Sequence, residues 1–463
     1  MESRPLPAAA YEPLPSADDV DQDSSSRRPS ASRHDHHQIP FSWLEYAIFC
    51  FLGVAMLWAW NMFLAAAPYF ASRFADSAWI HANFQSAILT ISTLTNLAAM
   101  VLLTHVQRNA SYPFRINLAL MMNGVIFSLL TGSTALFLSS GPGAYFAFVL
   151  VIVALASWAT GLLQNGAFAF AGSFGRPEYM QALMAGQGIA GVLPSIAQVA
   201  AVLIFPPLQR DVTDEGLEPP GKDNGAQRAE KSAFVYFLAA VVISVAALLA
   251  LIPLIRRQKR IVANRANAHR VDAATEVQDA HPAPRKRVAL CHLFRKLRWL
   301  ALGVALTFTV TMFFPVFTAK IFSIRDAAHA PPIYRPAAFV PLAFTFWNAG
   351  DLGGRIIAVM PSPIDDKPLV LFLLAICRIA HLPLYLLCNI GGRGAVVQSD
   401  WFYLIVVQLL MGLTNGWMGS TVMMAAGNWV EESEREASGS FMGLFLVIGL
   451  TVGSLLSFSV AGI

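Results

Sequence analysis

The stretch from Phe346 to Arg355, Phe-Trp-Asn-Ala-Gly-Asp-Leu-Gly-Gly-Arg, carries the most pointed chemistry in the chain. Asn348, Asp351 and Arg355 are spaced i, i+3 and i+7, so one helical face holds all three. Asp351 and Arg355, four apart, can pair. The surrounding residues are apolar, and a charge at bilayer depth costs about 2.5–3.5 kcal/mol on insertion scales. That face must therefore turn toward protein or a watery cavity. On spacing alone two roles are equally good. Asp351 can accept from a polar substrate while Arg355 donates to it, or the two can form an ion pair that pins helices.

Other polar groups interrupt apolar runs. Trp58, Trp60 and Asn61 stand in Leu-Trp-Ala-Trp-Asn-Met-Phe at 57–63. Trp is normally an interfacial residue; placed nearer mid-span, Trp60 offers a stacking face to a flat ring or simply packs. Gln164, beside Asn165, can read a hydrogen-bonding edge or tie two helices, since an amide in such a setting must find partners. Gly186, Gly188 and Gly191 lie in Gly-Gln-Gly-Ile-Ala-Gly-Val-Leu-Pro-Ser, where Gly188, Gly191 and Ser195 share a face that admits a neighbouring backbone. Gly439 with Gly443, and Gly449 with Gly453, repeat the four-residue spacing and read as packing seams. Arg378 and His381 are more often carbonyl-binding than a proton path. His34, His36 and His37 lack acidic or Cys partners and read as solvated rather than metal-binding. No Walker loop is present, and Asp365-Asp366 is a lone acidic pair, so ATP-driven pumping and magnesium-dependent enzymology are disfavoured.

The elements that position these residues follow from composition. Of 463 residues, 56% are hydrophobic and 13% charged, about half the charge of a soluble domain. This excludes an ordinary water-soluble enzyme and predicts an all-α polytopic membrane protein. Four cysteines are too few for a disulfide scaffold. Eleven apolar runs of spanning length are expected, at 44–70, 82–105, 114–138, 144–171, 179–205, 233–256, 298–322, 338–360, 368–390, 401–427 and 437–462. Residues 1–42 read as a disordered tail with no signal-peptide core. The stretch 256–298 holds twelve Lys or Arg against three acids, whereas 206–232 holds four against six. Basic residues mark the cytosolic side, which places the N-terminus in the cytosol and the C-terminus outside or in a lumen. The only glycosylation-type triplet, starting at Asn109, is thereby discounted. The basic stretch also divides the chain: a six-helix bundle at 43–256, a linker at 257–297 and a five-helix bundle at 298–463. Such a division suits a rocking carrier, and a polybasic segment also suits anionic lipid.

In this order and on these spans, Trp60-Asn61, Gln164, Gly-Gln-Gly-Ile-Ala-Gly at 186–191, Asn348-x-x-Asp351-x-x-x-Arg355, Thr-Asn-Gly-Trp at 414–417 and Glu-Ala-Ser-Gly at 436–439 resemble the equilibrative nucleoside transporter family, in its fungal form. The resemblance covers about residues 44–463. It implies a major-facilitator-like arrangement of eleven helices, six plus five, around a central cavity, and facilitated passage of nucleosides, or of nucleobases, by alternating access. Carried over by position, Asp351 and Arg355 would meet the ribose hydroxyls or form the cavity's polar pair. Gln164 would meet the base and Trp60 would pack on it or gate the cavity. Asn61 and Asn348 would support this shell, and Leu64, one turn from Trp60, would line the cavity. Ala59 departs from the family's frequent Pro before Trp-Asn, which leaves the first-span kink open. The implied partners are nucleosides and membrane lipids, with no nucleic acid, no cofactor and no metal, and a monomer suffices. Tyr11-Glu-Pro-Leu14 fits a sorting-adaptor signal and agrees with a vacuolar membrane; the plasma membrane is the alternative. A proton-coupled carrier of the same fold, a carrier of another small polar solute, and a non-transporting scaffold are the competing readings.

Overall fold

The computed structural model describes residues 40–106, 111–136, 140–204, 222–275, 288–326 and 329–460. The sorting signal, the tail histidines and Asn109 lie outside them. Among the described residues, ten helical segments are long and apolar enough to cross a membrane. In chain order they are Trp43–Ala65, Ala78–His105, Tyr112–Leu136, Pro142–Ser173, Pro177–Ile204, Glu230–Arg260, Leu290–Thr318, Pro368–Tyr385, Phe402–Trp429 and Glu432–Ser457. The remaining expected span is the helix Pro336–Ile357, whose mean hydropathy is lowered by Asn348, Asp351 and Arg355. Counting it as the eighth gives eleven, and the ordinals below follow that order. The only strand-like pairing among the described residues is one bridge, Ile321 to Ile390.

Local chemistry explains several boundaries. The first helix runs unbroken from Trp43 to Ala65 past Ala59, and a second short helix, Ala67–Arg73, begins with Pro68 in its first turn, where a missing N–H is harmless. The fourth, eighth and ninth spans also start on a proline. Gly175, at φ 65°, turns the chain between the fourth and fifth spans. The sixth span is part of a longer helix, Lys222–Thr275, so helical structure continues well into the stretch expected to be a linker. The tenth span opens with π-helical turns over Phe402–Leu409. There the Gln408 amide donates to Tyr403 Oη at 2.6 Å, an i, i+5 contact that the wider turn brings onto one face.

Two apolar clusters hold the fold. One joins the first four spans and the sixth around Phe63, Phe70, Phe127 and Phe237; the other joins the seventh to tenth around Phe314, Phe339, Trp347 and Tyr385. Phe314 stacks on Trp347 with ring centres 4.1 Å apart. Outward faces are apolar too, as at Val242, Val245 and Leu249 of the sixth span, which suits contact with lipid chains. The cysteines Cys50, Cys291, Cys377 and Cys388 are all free.

Candidate functional site

The singled-out residues separate into two places. The first is a cavity of about 210 Å³ at the middle of the bundle. The first, second and fourth spans contribute Trp60, Asn96, Ser92, Ser157, Thr160 and Gln164, while Met312, Val447, Leu450 and Thr451 close it from the seventh and eleventh. Among the described residues, none that lines it is charged. Trp60 is half-buried and packs against the first apolar cluster. Asn96 Nδ2 donates to Gln164 Oε1 at 3.3 Å, and Asn96 Oδ1 is buried with no hydrogen-bond partner. Ser157 donates to Ser92 at 2.8 Å. The cavity thus offers one indole, two coupled amides and a few hydroxyls in an apolar wall, the composition of a site that orients a small neutral molecule.

The second place is a buried polar seam where the fifth, eighth and tenth spans meet. Arg355 Nε donates to Asp351 Oδ2 at 2.7 Å, and both side chains are about 95% buried. Arg355 Nη1 donates to Met184 O at 2.7 Å and Gln187 Oε1 at 3.3 Å, while Gln181 Nε2 donates to Arg355 O at 2.9 Å. Asn415 Nδ2 donates to Asp351 Oδ1 at 2.7 Å, and Asn415 accepts from Thr311 of the seventh span. A buried ion pair is tolerable only when its other hydrogen-bonding groups find partners; here both Asp351 oxygens and Arg355 Nε and Nη1 do. In this arrangement Asp351 and Arg355 do not line the cavity; they tie the fifth span to the eighth and tenth.

Glycines let these spans come close enough. A Cβ on Gly350 or Gly354 would collide with Leu409 O or Leu413 O, and one on Gly412 or Gly416 with Trp347 O or Asp351 O. The four-residue spacing of both pairs is visible in the sequence as a signal of close helix packing. In the fifth span, a Cβ on Gly186 would meet Cys50 O, on Gly188 the Arg355 Cδ at 3.1 Å, and on Gly191 the Asn348 amide. Gly439 and Gly443 face Phe168, and Gly449 and Gly453 face Ala305 and Thr309.

The other expected residues are distributed as follows. Asn61 Nδ2 donates to Ala190 O at 2.6 Å, joining the first and fifth spans. Asn348 donates to Phe344 O at 2.9 Å and lies against Gly191. Leu64 is 54% exposed and is not part of the cavity wall. It shares the helical face of Trp60 but lies about 6 Å further along the axis, next to the helix end at Ala65. Adjacent amides diverge likewise: Gln164 meets the cavity, whereas Asn165 accepts from Arg115 and donates to Ser440 at 2.6 Å and Thr104 at 3.2 Å. Arg378 is buried and donates to Thr307 O at 3.0 Å, Thr414 Oγ1 at 3.3 Å and Met411 O at 3.4 Å, whereas His381 is half-buried with its Nε2 3.3 Å from Val406 O. Asn96, Gln187 and Asn415 were not singled out from sequence. Each is an amide in an apolar run, the same signal that marked Gln164.

Comparison with known proteins agrees with this architecture. The chain is 28% identical over 445 residues to the nucleoside transporter FUN26 of Saccharomyces cerevisiae, covering 90% of this chain and 83% of that one. It is 25% identical to the human equilibrative nucleoside transporter 2, covering 93% and 98%. Among solved structures it resembles the fucose:proton symporter of E. coli at 14% identity and TM-score 0.51, covering 90% and 96%. It also resembles the major facilitator superfamily proton:xylose symporter XylE at 11% identity and TM-score 0.54, covering 89% and 87%. These likenesses give the fold, a major-facilitator-type helical bundle. The family model described as nucleoside transporter matches residues 149–461, and the chain belongs to the nucleoside transporter family.

Proposed function

We propose that this chain carries nucleosides across a membrane by facilitated, alternating access, binding them in the central cavity. The observation that carries the reading is the cavity's wall, uncharged throughout and equipped with Trp60 beside the coupled amides Asn96 and Gln164. A nucleoside is neutral, so no charge crosses the bilayer. Its base has a π-face for Trp60 and a donor/acceptor edge for the amides. The unpartnered Asn96 Oδ1 is an acceptor that a bound base would satisfy. The names of the yeast and human relatives support the substrate class.

Asp351 and Arg355 act in this scheme as a latch. The face on which the first span begins, here called the tail side, is where the halves 43–256 and 298–463 lock together. Gly172 packs on Arg435 O, Gly439 on Phe168 O, and Arg355 reaches Met184 O. Rocking the halves apart on that side would break the Arg355 contacts to the fifth span and open a route from the cavity. It would also expose Asp351 and Arg355 to a ribose entering from that side. The basic stretch after the sixth span supports a cytosolic tail side, and the Tyr11–Leu14 pattern supports a vacuolar address, checked by imaging the tagged chain with and without Tyr11→Ala.

Counterflow of tritiated adenosine into proteoliposomes preloaded with unlabelled adenosine tests the carrier reading. Accumulation above empty vesicles at equal pH is expected, with no block by excess glucose. Absence of exchange by folded protein sinks the nucleoside reading, and a requirement for an acid-inside gradient would make the carrier proton-coupled. Gln164→Leu keeps the volume but removes the amide, leaving Asn96 Nδ2 unpaired. At about 1–3 kcal/mol for such a loss, adenosine exchange should fall by about 5- to 150-fold while the protein stays monodisperse. Wild-type exchange in that variant removes Gln164 from the site.

A further inference from the structure

A second recess lies on the tail side, between the turn joining the fourth and fifth spans and the ends of the tenth and eleventh. Its wall includes Arg176 from one half and Arg435 from the other, with Asn428 and Ser438, and no acidic residue lines it among the described residues. Arg176 is 3.5 Å from Glu178. The Arg435 guanidinium makes no hydrogen bond or ion pair among the described residues. The nearby carboxylate Glu434 is taken by Lys296 at 2.7 Å and His292 at 2.9 Å. The Arg435 guanidinium lies over Gly175, where a Cβ would collide with it, so a residue of the eleventh span reaches across the turn of the other half.

Two arginines line one recess, and like charges there repel each other, with Arg435 holding no carboxylate among the described residues. An anion between them would reverse the sign of that interaction. Arginine's planar fork matches the tetrahedral oxygens of a phosphoryl group, which it binds through paired hydrogen bonds, and the Asn428 amide adds a further donor type. The free space is about 50 Å³, room for a few waters. A phosphoryl group fits there and a nucleoside does not, so whatever carries the phosphoryl group must lie outside the recess.

We propose that this recess binds a phosphate-bearing anion between Arg176 and Arg435, and that the bound anion fastens the two halves together on the tail side. The anion is supplied either by a soluble phosphate or by an anionic lipid headgroup. It acts as a brake: because both halves contribute a ligand, binding requires the tail side to be closed and therefore stabilises that state.

The test uses the purified full chain in nanodiscs of neutral phosphatidylcholine, with unfolding temperature followed as inorganic phosphate replaces chloride at constant ionic strength. A ligand that binds only the folded state raises that temperature in a saturating way. The expected result is such a rise, with the apparent affinity weakened at least about tenfold in Arg435→Gln and in Arg176→Gln. If inorganic phosphate is silent but nanodiscs containing phosphatidylserine raise the temperature in an Arg435- and Arg176-dependent way, the site stands and the headgroup is its ligand. No rise with either source, or equal rises in wild type and both variants, overturns the proposal. Loss in one variant alone overturns the bridging of the halves. No nucleoside enters the assay, so its outcome is independent of the carrier reading.

Discussion

Asp351→Ala should abolish most nucleoside exchange and also lower the stability of the folded protein. Among the described residues the carboxylate is the only acidic group hydrogen-bonded to Arg355, and Asn415 donates to its other oxygen. Removing it leaves a buried guanidinium with Met184 O, Gln187 Oε1 and the weakly accepting Met184 Sδ as its acceptors among the described residues. Breaking one partner of a buried ion pair costs about 3–5 kcal/mol, enough to loosen the seam between the fifth, eighth and tenth spans. Exchange should fall by more than about tenfold. Stability and transport can be separated. The double variant Asp351→Leu/Arg355→Met replaces the pair by apolar groups of similar bulk, which is often neutral or stabilising. Its unfolding temperature should return toward wild type while adenosine exchange stays low. If the double variant transports normally, the pair is packing alone and plays no part in the latch or the substrate route. If Asp351→Ala itself transports like wild type, the assignment fails at the first step.

Gly186→Leu should prevent recovery of a folded, monodisperse protein. A Cβ at this position would collide with Cys50 O and press on Val54 N, backbone atoms that cannot rotate away. The first and fifth spans would have to separate, breaking the Asn61 bond to Ala190 O and the Tyr46 bond to Gln181. Overpacking ordinarily costs about 1–3 kcal/mol even where side chains can adjust, and here the obstacle is main chain. Gly188→Ala is the graded comparison. Its Cβ would lie 3.1–3.2 Å from Arg355 Cδ and Leu352 atoms, a contact that a small shift relieves. That variant should fold, with exchange slowed by a displaced eighth span. Size-exclusion profiles of the two variants side by side decide the matter; a monodisperse Gly186→Leu protein would show that this crossing is looser than its geometry.

The two variants also show what was readable in advance. The glycines of the fifth span were legible as a packing seam because spacing fixes which residues share a helical face. Gly188 and Gly191 do meet one neighbour, the eighth span. That Gly186 meets a different one, the first span, is set by the angle at which helices cross, which no local pattern records. The same distinction separates Gln164 from Asn165. Composition told that amides and indoles stood within apolar runs, but a rotation of about 100° per residue sends neighbours to different partners.

The sequence by itself determined the helical, membrane-spanning class, the number and order of the spans, and the family. Each of these rests on hydrophobic run length or on motifs contiguous in the chain. The pairing of Asp351 with Arg355 was likewise local, since residues four apart on a helix must be neighbours. Only the tertiary structure decided where that pair sits. It lies in a sealed seam with Met184, Gln187 and Asn415, apart from the cavity of Trp60, Asn96 and Gln164. The physical reason is that a helix face chooses its neighbour by the packing of whole spans, through glycine crossings and buried hydrogen bonds between residues more than 100 positions apart, such as Arg355 and Gln187.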